Sequence, residues 1–175
     1  MNAATVARTF LPSTLMLILS ASLSLAQVPK KGGAQLDCQK LLTAAEAGQG
    51  LGLSDVTFVG DASTLYGNAE WAKNVSICAY GSKTTGVLLI LEIWPTPLFD
   101  LSKVGPFKEV QPRDVSGLGA PAKLYTNKES AVLVVASGSR TLAVGTGWKG
   151  RDPSRGAADA VVAIAKLVLH RLPGR

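Results

Sequence analysis

The alternation of apolar and polar positions divides this chain into a leader, a set of extended segments and two helical stretches. Val87 to Trp94 (VLLILEIW) is the firmest strand, apolar on both faces except at Glu92. Pro95 and Pro97 end it, because proline has no N–H to give to a ladder. Val75 to Tyr80 is short and β-prone, and the Gly81–Gly86 stretch between the two suits a hairpin. Ser54 to Gly60 alternates weakly and predicts a further strand. Downstream, Ala122–Thr126, Ala131–Ala136 and Thr141–Trp148 predict three more, the last two joined around Ser137–Arg140. In the final strand Leu142, Val144, Thr146 and Trp148 share one face, and the other carries only Ala143, Gly145 and Gly147, which leaves room for close approach.

A helical period occurs twice. Thr43-Ala44-Ala45-Glu46 has the form of a capping box, in which each side chain satisfies a free backbone N–H. The short helix it starts is expected to end at Gly48, Gly50 and Gly52. Near the C-terminus, Asp152-Pro153 predicts a helix start. Val161, Ile164, Val168 and Leu172, widened by Ala165 and Leu169, then form the apolar stripe of a helix lying on a sheet. Residues 61–74 read as loop, and Thr96 to Pro112 as a long connection with one helical turn around Leu98–Val104. This order predicts an α+β domain: an antiparallel sheet of about five to six strands, with a short N-terminal helix and a C-terminal amphipathic helix packed on one face.

The N-terminus changes the picture of where the domain works. Arg8 precedes an apolar and hydroxylic run from Phe10 to Leu25, and Ser24-Leu25-Ala26 places small residues before Gln27. That pattern predicts a signal peptide over residues 1–26, cleaved after Ala26. A membrane anchor would need about 20 strongly apolar residues, whereas this run is diluted by five serines and threonines. Residues 27–35 (QVPKKGGAQ) form a polar leader, and 36–175 a single α+β domain. No later run is long and apolar enough to cross a bilayer as a helix. The expected setting is therefore outside the cytoplasm, periplasmic or secreted.

Charge narrows the partners. The chain has 18 Lys and Arg against 12 Asp and Glu, a formal net charge of +6. Lys149, Arg151 and Arg155 make a candidate basic patch for anionic envelope polymers or membrane surfaces. A soluble basic surface without such a partner is the simpler account of them. Nucleic acid is not expected, since no recognisable binding module is present.

Cys38 and Cys78 are the only cysteines. In an oxidising compartment they predict one structural disulfide. A redox pair would take the Cys-x-x-Cys form, and zinc needs about four clustered ligands. Two distant cysteines and the lone His170 supply neither, so no metal and no cofactor are expected.

Motifs with chemistry attached are few. Gly145-Thr-Gly147-Trp-Lys-Gly150 has the spacing of a dinucleotide loop, but Arg151-Asp152-Pro153 intervenes before the helix and no parallel strand follows. His170 falls in the last turn of the terminal helix, and no G-x-S-x-G elbow exists to pair with it. Asp55, Asp61 and Glu92 are candidate carboxylates for a small hydrolase. Glu92 is also read as a solvent-facing or strand-end residue. Tyr66, Trp71 and Tyr80 are candidates for a ligand surface, or else close one end of the core. Asn74-Val75-Ser76 fits a glycosylation acceptor, relevant only to a eukaryotic pathway.

Three short motifs carry a resemblance. Leu36-Asp37-Cys38 with Leu41-Leu42-Thr43, Glu46-Ala47 and Leu51-Gly52 resembles the opening of exported bacterial domain families of unknown function. Cys78-Ala79-Tyr80 and Val115-Ser116-Gly117-Leu118-Gly119, followed by Ala122, fall where those families place a second cysteine and a mid-domain turn. Many of these relatives are lipoproteins, whereas this chain has Gln27 after the expected cut. The resemblance implies an α+β fold and no established activity. The function expected is non-enzymatic binding of an envelope protein or ligand, with a carboxylate-dependent hydrolase and an anionic-surface binder as alternatives.

Overall fold

In the computed structural model, residues 36–61, 64–65, 74–95, 100, 107–108, 110–148 and 155–173 are described. The expected signal peptide and leader, the Asp152-Pro153 cap and the turn around Leu98–Val104 lie outside them, apart from Asp100. Two short helices, α1 (Cys38–Leu41) and α2 (Ala44–Leu51), precede β1 (Val56–Asp61), β2 (Ser76–Ser82) and β3 (Val87–Trp94). After the long connection come β4 (Arg113–Asp114), β5 (Ala122–Thr126), β6 (Ser130–Ser137), β7 (Arg140–Trp148) and α3 (Arg155–Arg171).

The strands form one antiparallel sheet in the order β1-β2-β3-β7-β6-β5-β4. Two meanders meet along the central β3–β7 pair, where Val87 to Trp94 runs against Trp148 to Thr141. The seven strands exceed the expected five to six. The additional one is β4, a two-residue edge that pairs Arg113 with Leu124 and Asp114 with Lys123. Nothing in so short an exposed pair alternates enough to be read from sequence.

Side-chain alternation assigns the faces. Tyr80, Leu89, Leu91, Leu133, Leu142 and Val144 project to one face and join Val161, Ile164, Ala165, Val168 and Leu169 of α3 in the main core. The stripe expected of α3 is therefore the buried one. α2 lies beside α3 and over β1, so both helical regions share this face. The capping box at Thr43 and Glu46 forms as expected. The glycines behave differently from expectation: Gly48 and Gly50 lie within α2, and only Gly52 ends it, in the left-handed region at φ 69°. A Cβ on Gly50 would fall 2.6 Å from Ile164 Cγ1. Its place is explained by close helix–helix approach, which outweighs the helix-interior cost of glycine, about 1 kcal/mol.

The opposite face is also covered. Phe107 and Val110 from the connection pack with Tyr125, Val132, Val134 and Ala143 in a second, smaller core. The Phe107 ring meets Tyr125 edge to face at 6.1 Å. Ala143 and Gly145 on β7 supply the flat surface that the sequence suggested.

Candidate functional site

Cys38 at the start of α1 and Cys78 in β2 form a disulfide, with Cα atoms 5.5 Å apart. The bond ties the N-terminal segment to the sheet, and further contacts tighten it. The Leu36 N–H donates to Ser76 Oγ at 2.8 Å. The hydroxyl of Tyr80, wholly buried, donates to the Leu42 carbonyl at 2.5 Å and lies 3.2 Å from that of Cys38. Phe58 meets the Tyr80 ring edge to face at 5.4 Å. From the other side, Arg171 of α3 reaches the Leu41 carbonyl at 3.1 Å and grips both carboxylate oxygens of Glu46 at 2.5 and 2.9 Å.

Beside this anchored segment lies a groove of about 330 Å³. Asp37 and Gln39 of the N-terminal segment, Phe58 and Asp61 of edge strand β1, and Ser76 and Ile77 of β2 line it. Its size is at the lower end of ligand clefts, roughly 300–1,000 Å³. Asp37 caps α1 by accepting the Gln39 N–H at 3.0 Å. Asp61 accepts the N–H and hydroxyl of Thr64 at 3.0 and 3.1 Å. The Asp37 carboxylate also pairs with Lys40 at 3.7 Å on the exposed surface. Because Asp61 stands opposite Cys78 in the β1–β2 register, it projects to the same face as the disulfide.

Electrostatics follow the hydrogen bonds. The Arg171 guanidinium, with the Thr43 N–H and hydroxyl, lowers the Glu46 pKa to about 2. Asp55 is likewise lowered to about 2 by Thr84 and Ser82. It accepts the Thr84 N–H at 3.0 Å and the Ser82 hydroxyl at 2.9 Å, closing the β2–β3 turn. Burial pushes the Tyr80 hydroxyl up to about 12, with Glu46 and Asp37 adding to the effect. Burial also raises Glu92 to about 7, partly opposed by the Trp94 indole that donates to it at 2.9 Å.

The three candidate hydrolase carboxylates are not brought together. Asp55 sits at the turn end of the sheet and Asp61 at the far end of β1. Glu92 stands opposite Ile77 and Ala143, on the face away from Asp61. It is half-buried, and its Oε2 accepts from the Trp94 indole. Tyr80 is a correction to the candidate ligand surface: its ring belongs to the main core, because its hydroxyl has carbonyl partners there. Tyr66, Trp71, Lys149 and Arg151 lie outside the described residues, as does the Arg155 side chain. Among the described residues no group of three His, Cys, Asp or Glu is placed to hold a metal, and no helix is long and apolar enough to cross a membrane.

Asp37, Gln39, Phe58 and Ser76 of the groove were not read from the sequence as ligand-binding residues. A signal for four of its residues was present: once Cys38 is paired with Cys78, their chain neighbours Asp37, Gln39, Ser76 and Ile77 must converge. No protein-family model, curated protein or solved structure matches this chain.

Proposed function

We propose that this protein is a non-enzymatic exported domain that binds an envelope partner in the groove beside the disulfide. The observation that carries the reading is that Asp37, Asp61 and Phe58 line one groove. Two carboxylates beside an aromatic ring suit a cationic group on an apolar stem, by charge pairing and by attraction to the ring. A lysine or arginine side chain of an extended peptide segment has that form. The anchoring by the disulfide, Tyr80 and Arg171 keeps the walls in place before binding, which limits the ordering cost. The signal-like N-terminus and the buried disulfide support export.

The test is a thermal-shift titration of the protein with short peptides that differ only in one central Lys, Gln or Glu. The lysine peptide raises the melting temperature with dose, and Asp61→Asn, which still offers an acceptor to Thr64, weakens its apparent affinity about tenfold. Equal responses to all three peptides, or an Asp61→Asn protein that binds the lysine peptide as tightly as the wild type, would sink the proposal.

A further inference from the structure

Strand β1 ends the sheet, and no strand among the described residues pairs with its outer side. The outward N–H and C=O groups of residues 56–60 therefore have no ladder partner there, which makes them a template for an added strand. The other end of the sheet differs. There β4 has two residues, Arg113 and Asp114, too few to direct a pairing. β1 has six, and paired strands usually have about five to six. Its Thr57 is exposed, and Val59 keeps 48% of its surface in solvent.

A bulge gives this edge its second property. Phe58 stands opposite Tyr80, Gly60 opposite Ala79 and Asp61 opposite Cys78, so Val59 is the extra residue. On a regular strand, residues three apart point to opposite faces. The bulge turns Asp61 onto the face of Phe58, and both then line the groove. Bulges that re-aim a side chain are concentrated at sheet edges and beside functional sites. Val59 goes to the other face: a Cβ on Gly81 would fall 3.2 Å from Val59 Cγ2, so the valine lies over that glycine.

Charge selects the occupant. Residues 54–61 include Asp55 and Asp61 and no lysine or arginine. Antiparallel pairing with a second copy would bring these acidic ends together, and like charges across strands destabilise. A strand carrying a basic residue is complementary instead. We propose that the partner binds by strand addition: an extended segment pairs with the outer side of β1, its lysine or arginine enters the groove at Phe58 and Asp61, and its next side chain meets Val59. This mode rests on the groove reading and adds main-chain pairing, which that reading does not require. The main-chain bonds supply affinity and the alternating side chains specificity.

The experiment titrates the full chain with the lysine peptide in two N-methylated sets, one methylated at odd backbone positions and the other at even. In a ladder only every second residue of the added strand faces its neighbour. One set therefore weakens at least about tenfold, while the other stays within about twofold of the unmethylated peptide. Hydrogen exchange is followed in parallel. Those amides of residues 56–60 that exchange fast in the free protein slow about tenfold or more in the complex. If the lysine peptide binds but both sets bind alike, or the β1 amides keep their rates, strand addition is overturned and the groove reading stands. If the lysine peptide binds no better than its Gln and Glu counterparts, the groove reading fails and strand addition falls with it. Outward β1 amides already slow in the free protein also overturn the proposal, and their release on dilution would make a second copy the occupant.

Discussion

The Tyr80 hydroxyl donates to the Leu42 carbonyl at 2.5 Å, joining the middle of β2 to the turn between the first two helices. The bond spans 38 residues of sequence and closes the core beneath the disulfide. Tyr80→Phe keeps the ring contact with Phe58 but leaves the Leu42 carbonyl without that donor. The expected loss is about 1–3 kcal/mol of unfolding free energy, the usual cost of an abandoned buried partner. A lower urea midpoint with unchanged slope is the check.

The disulfide acts on the same segment through the unfolded chain. It closes a loop with a sequence separation of 40, and its loss from a small domain is expected to cost about 2–5 kcal/mol. The paired change Cys38→Ala and Cys78→Ala lowers the unfolding free energy by that amount, read from a lower denaturation midpoint. A reductant added to the wild type reproduces the effect, and added to the double variant it changes nothing.

Glu46 gives the acid limb of the stability curve. Its carboxyl is held down to about pH 2 by Arg171 and Thr43. The folded state thus releases a proton that the unfolded chain keeps until the ordinary carboxylate range. The contribution is present above that range and is lost as pH falls towards 2. The pair is partly exposed, with side chains 37% and 27% accessible, so solvent and salt weaken it. Arg171→Met flattens the acid limb between about pH 4.5 and pH 2 in thermal unfolding, and added salt moves the wild type towards the variant.

Thr146 allows a prediction of opposite sign. Its Oγ1 is buried on the helix-covered face with no hydrogen-bond partner among the described residues. Leu89 and Ala131 are its cross-strand neighbours. Thr146→Val keeps the shape and removes the orphaned hydroxyl. It is expected to stabilise by about 1 kcal/mol, read as a rise in melting temperature.

Much of this architecture was legible because local pattern and tertiary demand agree. Val87–Trp94 is a strand in its own right, and the Val161–Leu172 stripe needs only a sheet to lie on. The cysteine pair was legible from its parity and from the expected compartment. Gly50 was misread as a helix stop because the approach of Ile164 has no local signature, and Gly48 because its room is taken by the Leu53 carbonyl of the returning chain. Glu92 was ambiguous for a similar reason: what flanks its strand is set by β2 and β7. The groove draws on three separate segments, so only the disulfide pairing hinted at it.

The central claim is that the groove beside Cys38–Cys78 is the binding site. Amide chemical-shift mapping with the lysine peptide tests it most directly. The account predicts shifts concentrated at Gln39, Phe58, Asp61 and Ser76, and strongly reduced in Asp61→Asn. Shifts centred instead on the exposed surface of α3 or on the second face of the sheet would contradict it.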